Sequence, residues 1–573
     1  MVIYIVGHGV PRIMKPTTTT LSILLLATAC SGTKDNDTAS DDVSDDAFSD
    51  ADDSDADTDA DADADADGGP IDDGYTADAG PCLDGTWGTI SDPTATVHFW
   101  GGDVSNAPAD GTDSAGGMNT PYVSWDSFEA AREADPTLEV SAVGLWTGEH
   151  SIPAATLTEL ASNDIPILGC GSEEVTIALA DAPSEPDVPM IEVGAGMNST
   201  FSGLSLQGSG SGPVIGVHSG GQVTLSAMNI SSEIGAPLIR ATEGTTVDID
   251  NSDLFGGSTG IWTTGGTTNL SDVNVSSTQG AGIWTTGGTT NLTNVQVSST
   301  QGAGIWTTGG TTNLSGVDIS NVSSLPGSVA GRGGWGLVSN GSELVINDIT
   351  IDGAVHTGIV AAVDVVSIRN VTIRNVVSNS DGQWGRGIYL EGIEAGGYAS
   401  LQNITIEEVY DAGVFIHNLA DTVIENLTVT NVHQHVGEYG DDSYGAEGLV
   451  ILQSSTEEGT TDTSDGVSVP GFSDLVPADV TVDLVGTNSF TGISRAGIIV
   501  DASALNMDTL TEMDAGDTRE GVSVFSQNYG VIRSTEPDTD GAVMTESAAI
   551  GTCTVDGGEN LGVDTDEFDF SAL

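Results

Sequence analysis

Glu391, His417, Arg386, Glu438 and Asp441 are the residues best able to carry chemistry, and they crowd one stretch of a 573-residue chain together with His356, His433 and His435. A carboxylate beside an imidazole can act as general acid or base, provided the fold brings the two within reach. No lysine follows Lys34, so a strongly basic group in this region has to be an arginine such as Arg386. His433-Gln434-His435 offers two metal ligands where a zinc site takes at least three from the protein, and the metal, if any, is unknown. No Ser-His-Asp order, zinc-spaced Cys/His set or phosphate loop is present. A second group, Trp262, Trp284, Trp306, Tyr389 and Phe415, is aromatic, and such rings suit stacking on a ligand or on each other.

The elements that must position these residues are repeats. Gly260-Ile261-Trp262-Thr263-Thr264-Gly265-Gly266 recurs almost unchanged at Gly282 to Gly288 and at Gly304 to Gly310, a period of 22 residues. A unit that short, with apolar alternation and no helical pattern, cannot bury its own apolar face, so each unit stacks on its neighbours. Looser copies follow at Gly336-Leu337-Val338, Gly358-Ile359-Val360, Gly387-Ile388-Tyr389, Gly413-Val414-Phe415, Gly448-Leu449-Val450, Gly497-Ile498-Ile499 and Gly521-Val522-Ser523. The residue after each glycine is aliphatic, and period-two alternation points it into the core and the next residue outward. Tyr389 and Phe415 thereby join the tryptophans in one outward stripe, and Glu391 and His417 share that face. An outward stripe so apolar is either roofed by loops or offered to a ligand.

A second strand follows most first strands, as in Asn269-Leu270-Ser271-Asp272-Val273-Asn274-Val275 and Ser367-Ile368-Arg369-Asn370-Val371-Thr372-Ile373. Between its apolar pairs stand Asn251, Asp272, Asn294, Gly316, Asp348, Asn370, Asn403 and Asn426, residue types that tolerate left-handed backbone and suit a tight bend in every coil. Departures from the base period place insertions at about Ser323 to Trp335, Ser378 to Arg386, Glu391 to Tyr398, His433 to Glu447 and Ser454 to Pro477. Several precede a first strand, and insertions on one side of a solenoid mark its working face.

Gly-rich first strands, Asn-x-Thr/Val-Ile/Val second strands and a stacked Asn column resemble the pectate-lyase-like superfamily of right-handed parallel β-helices. The resemblance spans roughly Val175 to Arg533. It implies an all-β, single-stranded right-handed parallel β-helix with a small N-terminal cap. It also implies carbohydrate chemistry, either a lyase using calcium and a basic residue or a glycosidase using a carboxyl pair, for which two carboxyls about 6.5–9.5 Å apart signal inversion. Calcium is the one cofactor it suggests. Glu391 and Asp501 lie three coils apart, too far to pair, so only a loop acid such as Glu438 or Asp441 could complete a pair with Glu391.

Residues 1–29 read as a signal peptide, with 1–13 an over-extended start: Lys15 precedes a short apolar run too brief to span a bilayer. Ala27-Thr28-Ala29-Cys30 resembles the lipobox of bacterial lipoproteins, which implies lipid on Cys30, and Ser31 after it implies the outer membrane or cell surface. Residues 30–80 are then a linker, whose sixteen aspartates between Asp35 and Asp67 keep it extended. Residues 81–174 supply a cap and first strands, with an amphipathic helix at Ser124 to Ala134. The β-helix takes 175–533, and 534–573 form a C-terminal cap or tail.

The formal charge of −72 comes mostly from the body, since 19 of 84 acids precede Gly80 and leave 65 beyond it against nine arginines. Such a field repels nucleic acid and excludes it as a partner, and it resembles the surfaces of salt-adapted proteins. With Cys30 assigned to lipid, an exported chain has Cys82, Cys170 and Cys553 for disulfides. Cys553 belongs at the far end of the rod, so Cys82 with Cys170 is the expected pair. The sequence thus describes a surface-displayed lipoprotein that binds polysaccharide or is structural. An alternative is a polysaccharide lyase or glycosidase, and a second is a passive scaffold; whether it is an enzyme stays open.

Overall fold

The structure, a computed structural model, describes residues 96–101, 125–134, 140–169, 175–179, 188–208, 211–233, 235–325, 333–379, 384–392, 397–433, 446–452, 480–494 and 496–501, with shorter stretches at 435–436, 443–444, 504–507, 510–515, 529–533, 544–546 and 561–564. Cys30, Cys82, Cys170, Cys553, Glu438, Asp441 and the Asp-rich linker lie outside the described residues. The body is one long parallel sheet wound into coils, each strand pairing with its counterpart in the next coil.

Three of the in-register columns of the core show how the coils stack. In the first strands Ile239, Ile261, Ile283, Ile305, Leu337, Ile359, Ile388, Val414, Leu449 and Ile498 follow one another, and every one is fully buried. The second column runs from Leu225 through Ile249, Leu270, Leu292, Leu314, Ile346, Ile368, Leu401 and Ile424 to Leu484. The third runs from Leu254 through Val275, Val297, Ile319, Ile351, Ile373, Ile406 and Val429 to Phe490. Burial of these columns drives the winding, because a parallel strand covered on one face by the coil interior keeps its apolar side from water only in register.

The glycine that opens each first strand is there for close approach. A Cβ on Gly358 would stand 2.6 Å from the Gly387 carbonyl oxygen and 2.7 Å from Ile373 Cγ2, and the same clash recurs at Gly304, Gly336, Gly387 and Gly413. The register continues past Ile498 to Val531 in Tyr529–Arg533. The strand partnering Ala496–Asp501 is therefore Gly530-Val531-Ile532, and not the expected Gly521-Val522-Ser523: a glycine followed by two aliphatics fits the column, whereas Ser523 does not.

The Asn/Asp column is left-handed throughout, from Asn251 at φ 44° to Asp348 at φ 71°. Its side chains form the expected ladder: Asn294 donates to Asp272 at 3.0 Å, Asn403 to Asn370 at 3.0 Å and Asn426 to Asn403 at 2.9 Å. Two further ladders went unread in the sequence. Asn291 donates to Asn269 and Asn313 to Asn291 on the outward side of the second strands. A second left-handed column, with Ser277, Ser299, Asn321, Asn375, Glu408 and Asn431, turns the end of the third strands.

Two helices cap the start among the described residues. Helix α1 (Trp125–Ala134) answers to the helix expected at Ser124 to Ala134 and buries Trp125 and Phe128. Helix α2 (Ala154–Ser162), not foreseen, precedes the first strand Ile191–Val193. Glu192 N–H donates to Thr158 Oγ1 at 3.1 Å and Asn198 N–H to Asp164 Oδ1 at 2.6 Å, so the cap takes over hydrogen bonds that the open end of the sheet would otherwise leave unmade. Parallel pairing already begins upstream, where Thr96–Gly101 lies on Ala142–Ile152.

Candidate functional site

The outward residues of the first strands stack in register as Arg240, Trp262, Trp284, Trp306, Val338, Val360, Tyr389, Phe415 and Val450. Their exposure changes along the rod. The three indoles are half-buried, whereas Val338, Val360, Tyr389, Phe415 and Val450 are buried in an apolar cluster of their own, with Trp335, Ala281, Ala303 and Ala412. The stripe is thus partly open at its tryptophan end and roofed at the other.

At the open end the rings lie face to face. Trp262 and Trp284 stack at 5.3 Å and 14°, Trp284 and Trp306 at 5.7 Å and 24°. The Arg240 guanidinium sits over Trp262 at 5.1 Å, and the edge of Trp335 meets Trp306 at 5.6 Å. The indole faces are therefore covered by one another, and what the stack presents to a ligand is a row of edges one coil apart. Such stacking adds about 0.5–1.5 kcal/mol per pair beyond area burial.

Past Trp306 the ring contacts continue through residues that lie at or just before the next first strands, Trp335 and Trp384 from insertions and His356 from a tight turn. Trp335 donates its Nε1–H to His356 Nδ1 at 2.9 Å, and His356 stacks on Trp384 at 5.0 Å. The His356 ring as a whole is half-buried, but it stacks on Trp384, and its Nδ1 edge is turned toward Trp335 and the Thr357 hydroxyl. Burial first, and the nearby Arg386 charge second, lower its pKa to about 3. It is a neutral hydrogen-bond acceptor here.

Arg386 closes the roofed end. Its guanidinium lies 4.3 Å from the Trp384 ring centroid, 5.2 Å from Tyr389 and 4.0 Å from Phe415, and its Nε–H donates to Asp411 Oδ2. The Tyr389 hydroxyl donates to Glu391 Oε2 at 3.3 Å. Burial, and after it the Glu391 charge, push the phenol well above the usual tyrosine range, with Arg386 pulling the other way. Glu391 is 3% exposed, and its second oxygen, Oε1, has no hydrogen-bond partner. His417 Nδ1 stands 3.7 Å from it, beyond hydrogen-bonding distance, and the His417 side chain is 17% exposed.

Of the residues singled out in the sequence, Arg386, Tyr389, Glu391, Phe415 and His417 come together, and Trp262, Trp284 and Trp306 form the other end of the same stripe. Glu438 and Asp441 are outside the described residues. His433 is engaged elsewhere: its Nε2 is 2.7 Å from Glu408 Oε2 and its ring packs on Tyr410 at 5.3 Å. Asp411, Trp335 and Trp384 were missed, and His356 was noted only as one of a cluster of histidines, although two tryptophans close to the first-strand glycines Gly336 and Gly387 were a usable signal. Among the described residues no group of three or more His, Cys, Asp or Glu is placed to hold a metal ion, and no helix is long and apolar enough to cross a membrane.

Residues 259–394 match the family model for a right handed beta helix region. With the parallel sheet and its registers, this makes the body a right-handed parallel β-helix. The catalytic domain of a GH87 alpha-1,3-glucanase is 14% identical over 80% of this chain and 69% of that one, with a TM-score of 0.35. The A-module of the Azotobacter vinelandii mannuronan C-5 epimerase AlgE4 is 15% identical over 78% and 100%, at 0.33. A rhamnogalacturonan lyase is 10% identical over 83% and 90%, at 0.15. No curated protein matches this chain.

Proposed function

We propose that this β-helix binds polysaccharide along its first-strand face, from the tryptophan edges to the Glu391–His417 end. The observation that supports the reading is a buried carboxylate oxygen without a donor at one end of a half-open aromatic stripe. Buried polar atoms are nearly always hydrogen-bonded, and an extended polymer with hydroxyls at regular intervals is a partner shaped for a regular face. Lipid on Cys30 and the Asp-rich linker at 30–80 would hold that face away from an outer membrane or cell surface. Full-length protein should be retained on insoluble or gel-embedded polysaccharide, and replacement of Trp262, Trp284 and Trp306 together by Ala should weaken retention several-fold. Unchanged retention with an unchanged far-UV spectrum would remove the stripe from the proposal.

A second reading, a lyase or glycosidase, is favoured by one observation: Glu391 and His417 adjoin, and a carboxylate next to an imidazole can exchange a proton with a substrate. New reducing ends that vanish on Glu391→Ala or His417→Ala would establish it. Calcium would enter only with an acidic polymer, as the bridge between it and this acidic protein.

A further inference from the structure

We propose that the polymer held on this face is an amino-sugar polymer with free ammonium groups, one of which is received by Glu391 beside His417. The inference rests on the polysaccharide-binding reading and narrows it to a ligand class.

Two independent observations support it. The first is the lack of an available cation. The body carries nine arginines and no lysine against 65 acids. Of the arginines whose side chains are described, Arg132 is paired with Glu159 and Arg374 with Asp352, both away from the stripe. Arg369 stands on the second-strand column between Asn347 and Gln402. On the first-strand face Arg240 lies over Trp262, and Arg386 is held by Asp411 among three rings. A uronate chain laid along this face would meet no described cation free to receive its carboxylates, and the net field would oppose its approach.

The second is the state of Glu391. Its Oε2 accepts from Tyr389, while Oε1 is buried with no donor, and Arg386, the nearest permanent cation to the stripe's end, is bonded to Asp411. What the carboxylate lacks is a positive charge bearing hydrogens. A neutral sugar hydroxyl supplies one donor and no charge, whereas an ammonium supplies three donors and the charge. His417, 3.7 Å from Oε1 and partly exposed where Glu391 is buried, is the side chain whose rotation would admit a ligand to Oε1.

The test is isothermal titration of the full-length protein with glucosamine hexamer, its N-acetylated counterpart and oligogalacturonate, all in EDTA, at 0.15 M and 0.5 M salt. The glucosamine hexamer should bind at least about tenfold more tightly than the acetylated one, the gain of one charge-assisted hydrogen bond. The preference should persist at 0.5 M salt, where contacts to exposed acids are screened. Glu391→Gln should abolish it, and Asp250→Asn, an exposed acid on a second strand, should not. In the unaltered protein the preference should fall as the pH is raised from about 6 to about 9 and the sugar's ammonium loses its proton; a preference unchanged across that range overturns the proposal even if the Glu391 variant folds poorly. Equal binding of both hexamers, or binding of oligogalacturonate in EDTA, overturns the amino-sugar inference and leaves polysaccharide binding standing. Binding of none of the three, together with no retention on any polysaccharide, overturns both.

Discussion

Arg386 and Asp411 are 8% and 11% exposed at their side chains, and each is the other's answer to burial. Removing one partner of such a pair leaves an uncompensated charge, which costs on the order of 3–5 kcal/mol, whereas replacing both with apolar groups is often neutral. Arg386→Ala should therefore lower the denaturation midpoint strongly, and Arg386→Met with Asp411→Leu should recover most of the loss; a double-mutant cycle by chemical denaturation checks this. His356 makes a different prediction. Unfolded, it takes up a proton below about pH 6.5; folded, not until about pH 3. Between those values the unfolded state binds more protons, so the folded state loses stability as pH falls through that window. His356→Gln should flatten the slope of melting temperature against pH between 6.5 and 3, and an unchanged slope would show that the ring takes no part in acid lability. Neither residue's role was legible in the sequence, because each depends on which turn of the neighbouring coil returns beside it. Glu391, His417, Tyr389 and Phe415 were legible, because they sit at fixed offsets from a glycine whose place in the coil is invariant.

At the scale of the strand, that glycine is the strictest position. Gly358→Ala would drive a methyl group into the Gly387 carbonyl and Ile373, both parts of the core that cannot swing aside. Overpacking of this sort costs about 1–3 kcal/mol or more. Gly235→Ala, with nothing nearer than 3.8 Å to the added carbon, should change stability by less than about 0.5 kcal/mol. Equal losses in urea titrations of the two variants would contradict the close-approach explanation. The same logic explains what sequence reading could and could not find among the elements. The first left-handed column was visible because Asn and Asp dominate it; the second was hidden because Ser, Asn, Glu and Gly share it. The insertions were placed within a few residues, since strands end at Val322, Val376, Glu391, Val432 and Leu452 and resume at Trp335, Arg386, Tyr398, Glu447 and Thr481, apart from two short strands at His435–Val436 and Ser443–Tyr444. Helix α2 was overlooked in a Thr-containing stretch, although Leu157, Leu160 and Ala161 carry helical spacing behind Pro153.

Over the whole body, stability is shared between neighbouring coils, since each touches chiefly the one before and the one after. Removing residues 283–304 would join Gly282 to Ile305 and place Ile305 on Ile261 and Trp306 on Trp262, with every register preserved. The shortened protein should keep its β spectrum and melt within a few degrees of the parent, while the ultraviolet exciton couplet of the stacked indoles weakens. Collapse of the fold on this deletion would mean that the coils are not interchangeable. If they are interchangeable, the three copies work like identical links in a chain: recombination between them can add or drop a link while the register on either side is kept. Reach then becomes a trait a lineage can adjust in steps of one coil, without redesigning the N-terminal helices or the Glu391–His417 end of the stripe.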